Sequence, residues 1–219
     1  MKSTLFEGLL PPSAVIVEAE PGMWESGLLP DELPYVQRCV DKRRREFTAG
    51  RNCARRALQQ LGLDASAILV GSGRAPQFPA GVSGSITHTV NYCAAAAICS
   101  DGSLSLGIDA ESDRSRDDET WPLVVSASER TQIAVLNCQK AHCWERLFFS
   151  AKEAFYKATF PRHLQFIDFR DVVVEVQPQD EVFALRIITP AISALVGRQT
   201  FIGRYRFEAG LVLTAIVIG

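Results

Sequence analysis

The chain has 219 residues, 47% of them apolar and 22% charged, with a formal net charge of −2. That length allows one large domain or two small fused ones with a substantial core, and the composition is that of an ordinary globular protein. The slightly negative balance argues against a protein whose main business is nucleic acid, although local basic clusters can still bind a phosphate-bearing small molecule.

Residues 1 to 30 are rich in proline and glycine and read as irregular chain with one short strand, Ala14–Glu18. Glu7 and Pro11-Pro12 interrupt the N-terminal apolar residues, so no secretory leader is expected. From Pro34 to about Leu61 the pattern turns helical: Val36, Val40, Phe47, Cys53, Ala54, Ala57, Leu58 and Leu61 form an inner face, and Gly62 supplies a stop. This helix carries Lys42, Arg43, Arg44, Arg45, Arg51, Arg55 and Arg56. Such a run is either a solvated face or an anion site. Glu46 is the only acid between Lys42 and Arg56, so most of these charges lack an in-helix partner, and guanidinium groups suit phosphate.

Gly71 to Pro76 is a turn-rich loop. Gly84-Ser85-Ile86-Thr87-His88-Thr89 follows, a strand-to-turn junction where glycine lets a ligand approach the backbone beside small hydroxyls and a histidine. An apolar strand over Tyr92–Cys99 and another over Leu104–Glu111 come next; Asp109 and Glu111 project from the same side of the second. Ser112 to Thr120 reads as an exposed polar loop. Ser126 with Glu129 makes a capping box, so a helix starts near Ala127.

Trp144 to Ala158 is a second long helix, with Leu147, Phe148, Ala151, Phe155 and Ala158 at helical spacing and Pro161 just past its end. Glu153 and Lys157 share one of its faces, a spacing that an ordinary surface ion pair fits equally well. Asp109, Glu111 and Glu153 together, with a lysine beside them, are what a hard divalent cation holding a phosphate needs. After Pro161, strands are expected at Val172–Val176, Val182–Ile188, Thr200–Phe207 and Leu211–Ile218, as an antiparallel sheet. The apolar runs are too short to span a bilayer. The six cysteines show neither CxxC pairs nor metal-ligand spacing, and read as reduced small hydrophobes of a cytoplasmic protein. A weak echo relates Phe47-Thr48-Ala49 and Arg55 to Phe149-Ser150-Ala151 and Lys157, at the same offset.

Four blocks carry a resemblance: RRREFTAGRNCAR at 43–55, GRAPQFPAGVSGSITHT at 73–89, GIDAE at 107–111 and FSAKEAFYKA at 149–158. Together they resemble the 4′-phosphopantetheinyl transferases of the surfactin and enterobactin synthetase type, across most of the chain. The resemblance implies an α+β fold, a pseudo-dimer of two similar halves, each a helix packed on a small antiparallel sheet, spanning residues 1–104 and 105–219. It implies transfer of the 4′-phosphopantetheine arm of coenzyme A to a serine of an apo acyl or peptidyl carrier protein, releasing adenosine 3′,5′-bisphosphate. Asp109, Glu111 and Glu153 would bind Mg²⁺ or Mn²⁺. Arg43, Arg51 and His88 would bind the phosphates and nucleotide, with Gly73, Arg74 and Pro76 on the adenine side and Thr87 alongside. Glu153 and Lys157 would be catalytic, and Lys157 and Lys152 would face the diphosphate. Two departures stand out: Ala154 replaces a serine common in the helix motif, and Gly73-Arg74 occupies a place often held by lysine.

The internal duplication makes a monomer the expected state, with neither nucleic acid nor membrane as partner. Two rivals are a non-catalytic coenzyme A or nucleotide-binding protein and a metal-dependent phosphohydrolase.

Overall fold

The computed structural model describes residues 4–114, 121–138 and 142–219. In chain order the elements are β1 (Val15–Glu18), α1 (Asp41–Gln60), β2 (Leu69–Val70), β3 (Pro76–Gln77), β4 (Val82–Thr89), β5 (Tyr92–Cys99) and β6 (Ser105–Ser112). There follow α2 (Trp121–Val124), α3 (Ala127–Asn137), α4 (Trp144–His163), β7 (Val172–Gln177), β8 (Val182–Ile187), α5 (Pro190–Val196), β9 (Thr200–Glu208) and β10 (Leu211–Ile218). It is a mixed fold of helices and antiparallel sheets: a three-stranded sheet in the order β1-β5-β4, a five-stranded sheet in the order β6-β10-β9-β8-β7, and a β2-β3 ribbon.

Each large sheet has a long helix on one face. Cys53, Ala54, Ala57 and Leu58 of α1 pack on Val17, Ala95 and Ala97. Leu147, Phe148, Ala151 and Phe155 of α4 pack on residues of β7 to β10. The opposite faces meet: Ala94, Ala96 and Ile98 of β5 share a core with Leu106, Ile108 and Ala110 of β6, Leu213 and Ala215 of β10, and Phe6 from the N-terminal segment. Alternation along a strand puts successive side chains on opposite faces, so each of β5 and β6 serves two layers at once.

The two sheets also join edge to edge through side chains. The hydroxyls of Ser83, Ser85 and Thr87 on β4 accept from the backbone N–H groups of Leu106, Ile108 and Ala110 on β6. They stand where carbonyls of a neighbouring strand would, and they satisfy donors that are costly to bury unpaired.

Several boundaries differ from expectation. The first long helix begins at Asp41, not Pro34, because Pro34 lies within a separate 3-10 turn, Pro30–Val36, and proline disfavours helix at the residue before it. Pro161 lies inside α4, not beyond it. Its missing N–H removes one bond only, and the helix runs on to a left-handed cap at Leu164, whose N–H bonds to Phe160. The Gly84–Thr89 stretch is an extended strand, and Asn91 at φ 59 makes the turn into β5. The loop expected at Ser112–Thr120 lies, from residue 115 on, outside the described residues. The capping box does start α3: Ser126 accepts from the Glu129 N–H and Glu129 accepts from the Ser126 N–H. All six cysteines are free thiols. Among the described residues no helix is long and apolar enough to cross a membrane.

Candidate active site

A cavity of about 650 Å³ opens between α1, the β2–β3 turn and β4 on one side and α4 on the other. Arg43, Arg51, Gly73, Arg74, Pro76 and His88 line one wall, and Glu153 and Lys157 line the other. Eight of the residues expected from sequence therefore meet in one cleft. Tyr156 and Phe160 of α4 and Tyr35 and Phe47 add apolar surface.

The basic wall is thinner than the sequence suggests. Arg45 pairs with Glu25 at 2.7 Å, Arg56 with Glu20 at 3.4 Å, and buried Arg55 with buried Glu32. The acids missing from within the helix come from the segment before it, so much of the run is internally neutralised. Arg43 and Arg51 remain at the cleft. Arg51 is buried, donates from Nε to the Ile68 carbonyl at 2.6 Å and lies over the Phe47 ring at 4.1 Å. Burial pulls its pKa down to about 10, so it stays charged at neutral pH. Arg43 Nη1 lies 3.0 Å from Nε2 of His88. Burial lowers the His88 pKa, opposed by Glu46.

The β2–β3 turn is held against the opposite wall. A side chain at Gly73 would meet the Phe160 ring at 2.3 Å, and Gly73 (φ 58) and Arg74 (φ 65) are both left-handed. Arg74 is thereby presented at the cleft mouth.

On the second wall, Ser150, Glu153 and Lys157 form one stripe of α4 facing β6. Asp109 is almost fully buried there: Oδ1 accepts from Lys157 Nζ at 2.6 Å and Thr87 Oγ1 at 3.1 Å, and Oδ2 from Ser150 Oγ at 2.8 Å. Thr87 is thus turned away from the cavity, towards Asp109. Glu111, on the same face of β6, lies 3.7 Å from Nη1 of Arg146. Burial, with neighbouring Asp109, raises the Glu111 pKa to about 7, and burial raises that of Glu153.

Lys152 does not reach the cleft. It is buried on the far side of α4, where its Nζ donates to the Val124 and Phe169 carbonyls at 2.7 and 3.0 Å and pairs with Glu129 at 2.9 Å. Its neighbour in sequence, Glu153, faces the other way because a helix turns about 100° per residue.

Among the described residues, no group of three or more His, Cys, Asp or Glu side chains stands close enough together to hold a metal ion. The chemistry of the donors nevertheless fits a hard divalent cation. Asp109, Glu111 and Glu153 offer only oxygen, the donor type such a cation takes.

Sequence reasoning missed Glu46 inside the cleft, Ser150 on Asp109 and the role of Gly107. An added Cβ at Gly107 would fall 1.9 Å from the Ala154 carbonyl oxygen, so glycine there lets α4 lie directly on β6. Ser150 was legible as a polar residue on the Glu153 stripe; the other two needed the fold.

A cleft with cations on one wall, and Glu153 with Lys157 on the other, has the charge to hold a phosphate-bearing ligand. Residues 31–98 match the 4′-phosphopantetheinyl transferase N-terminal domain, and residues 105–207 match the 4′-phosphopantetheinyl transferase superfamily. The chain is 35% identical to the 4′-phosphopantetheinyl transferase PptT of Mycobacterium tuberculosis, over 100% of this chain and 96% of that protein. It is 39% identical to the 4′-phosphopantetheinyl transferase Svp of Streptomyces mobaraensis, over 87% of this chain and 78% of that one. To enterobactin synthase component D of Salmonella typhi it is 35% identical over 53% of this chain and 48% of that protein. The chain belongs to the 4′-phosphopantetheinyl transferase superfamily and is an enzyme of that class.

Proposed function

We propose that the enzyme transfers the 4′-phosphopantetheine group of coenzyme A to a serine hydroxyl of an apo acyl or peptidyl carrier protein. The observation that carries this reading is the facing of Arg43 and His88 on one wall by Glu153 and Lys157 on the other, across a single cavity. The serine Oγ forms a bond to the phosphorus bearing pantetheine. The bond from that phosphorus to the bridging oxygen breaks, and adenosine 3′,5′-bisphosphate leaves. Glu153 takes the serine proton, and its raised pKa suits a general base. Lys157 stabilises the charge on the departing phosphate. Arg43, Arg51 and His88 hold the phosphates, and the Gly73-Arg74-Pro76 turn shapes the adenine side. A Mg²⁺ or Mn²⁺ ion bound by Asp109, Glu111 and Glu153 would neutralise the diphosphate.

The two halves, 1–104 and 105–219, are repeats of one unit in this reading. In each, a first strand leads to a long helix and pairs with the last strand, whose other neighbour is its hairpin partner: β1-β5-β4 and β6-β10-β9. A monomer acting in the cytoplasm, without nucleic acid or membrane, is the state this implies, in a biosynthetic role such as siderophore or polyketide assembly.

Intact-mass measurement of an apo carrier protein after incubation with the enzyme, coenzyme A and Mg²⁺ tests the reading. The expected result is a gain of one phosphopantetheine that EDTA abolishes. Coenzyme A binding with no gain on any of several unrelated carriers would favour a binding protein, and phosphate release without a carrier would favour a hydrolase.

A further inference from the structure

Glu46 is the one acid of α1 inside the cavity, and its side chain is only 14% exposed. Its Oε2 lies 3.6 Å from Arg43 Nη1 and 3.7 Å from His88 Nδ1, and its Oε1 lies 3.9 Å from Lys42 Nζ. These are charge contacts, longer than the roughly 2.7–2.9 Å of a charge-assisted hydrogen bond. By contrast, Glu20, Glu25 and Glu32 pair with arginines that do not line the cavity. The acid among the cleft's own cations therefore has a different position from the rest.

Arg43 donates to Nε2 of His88, which leaves the imidazole proton on Nδ1, the nitrogen that faces Glu46. Glu46, Arg43 and His88 form a closed triangle in which the carboxylate holds the guanidinium and the imidazole together. A phosphate on Arg43 and His88 would form charge-assisted hydrogen bonds to them and would meet the negative charge of Glu46 beside both.

We propose that Glu46 is a counter-ion built into the phosphate cradle, keeping Arg43 and His88 assembled while weakening the hold of the cleft on coenzyme A and on the bisphosphate product, so that product leaves. This rests on the coenzyme A reading of the cleft. Glu46→Gln keeps the shape and removes the charge.

Calorimetry with coenzyme A and with adenosine 3′,5′-bisphosphate, on the parent, Glu46→Gln and Glu46→Ala, tests it. Both variants should bind both ligands roughly three- to tenfold tighter, a modest effect because the site is partly open to solvent. Stopped-flow displacement should show the bisphosphate leaving the variants more slowly. Dephospho-coenzyme A locates the effect: a gain lost with that ligand assigns Glu46 to the 3′-phosphate, and a gain retained assigns it to the diphosphate. Binding equal to or weaker than the parent in both variants would overturn the proposal and make Glu46 an organiser only. A parent that binds neither ligand would overturn the coenzyme A reading itself.

Discussion

Lys157 Nζ sits 2.6 Å from Asp109 Oδ1, joining α4 to β6, with Lys157 lining the cavity and Asp109 buried behind its wall. The side chain of Lys157 is about a quarter exposed and that of Asp109 is buried, so the lysine is the cleft-facing partner of a fixed carboxylate. Thr87 and Ser150 hold Asp109 from behind, which leaves the ammonium as the group able to turn towards a ligand.

Removing that ammonium should be costly to turnover. Lys157→Ala is expected to lower kcat by about a hundredfold or more, the usual scale for losing one well-placed electrostatic donor. Circular dichroism should show the fold intact. A kcat within about threefold of the parent would remove Lys157 from the chemistry.

The carboxylates predict a pH signature. The Glu111 pKa is raised to about 7 and that of Glu153 is raised, by burial first in both cases. In the unfolded chain these groups lose their protons near about 4.3. Between that value and about 7 the folded form holds more protons than the unfolded one, so this contribution to stability declines as pH rises through the window. A divalent cation pairs with the ionised forms. Thermal unfolding with Mg²⁺ against EDTA should therefore show a larger stabilisation at about pH 8 than at about pH 5.5. An equal or reversed shift would count against these carboxylates as the cation's ligands.

Lys152 is expected to matter for stability and not for nucleotide. Lys152→Met leaves Glu129 buried without its cation and should cost about 3–5 kcal/mol. Denaturant titration measures that loss, while calorimetry below the unfolding transition should find coenzyme A affinity unchanged within about twofold. Parental stability combined with weakened coenzyme A binding would return Lys152 to the diphosphate.

Gly107→Ala tests how closely α4 must approach β6. The new methyl would meet backbone atoms, the Ala154 carbonyl at 1.9 Å and the Ala158 nitrogen at 2.9 Å, neither of which can swing aside. A loss of about 3 kcal/mol or more is expected, at or beyond the upper end of ordinary overpacking. Gly22→Ala, with open space around it, should be neutral. If both variants unfold at the parental denaturant midpoint, the contact is not as close as described.

Local pattern was enough to place both long helices, the capping box at Ser126 and Glu129, and strands β5 and β10. Periodicity records which face of an element is buried, and that can be read without knowing the partner. The spacing of Asp109 and Glu111 on a strand, and of Glu153 and Lys157 on a helix, was legible for the same reason. What buries each face was not legible, because the partner lies far away along the chain. Arg55 meets Glu32, Lys152 turns away to Glu129, Thr87 gives its hydroxyl to β6, and Glu46 enters the cavity beside Arg43 and His88. In each case the residue type announced a charge or a hydroxyl, and only the tertiary packing of segments distant along the chain decided which partner it met, within one half for Arg55, Lys152 and Glu46 and across the two halves for Thr87.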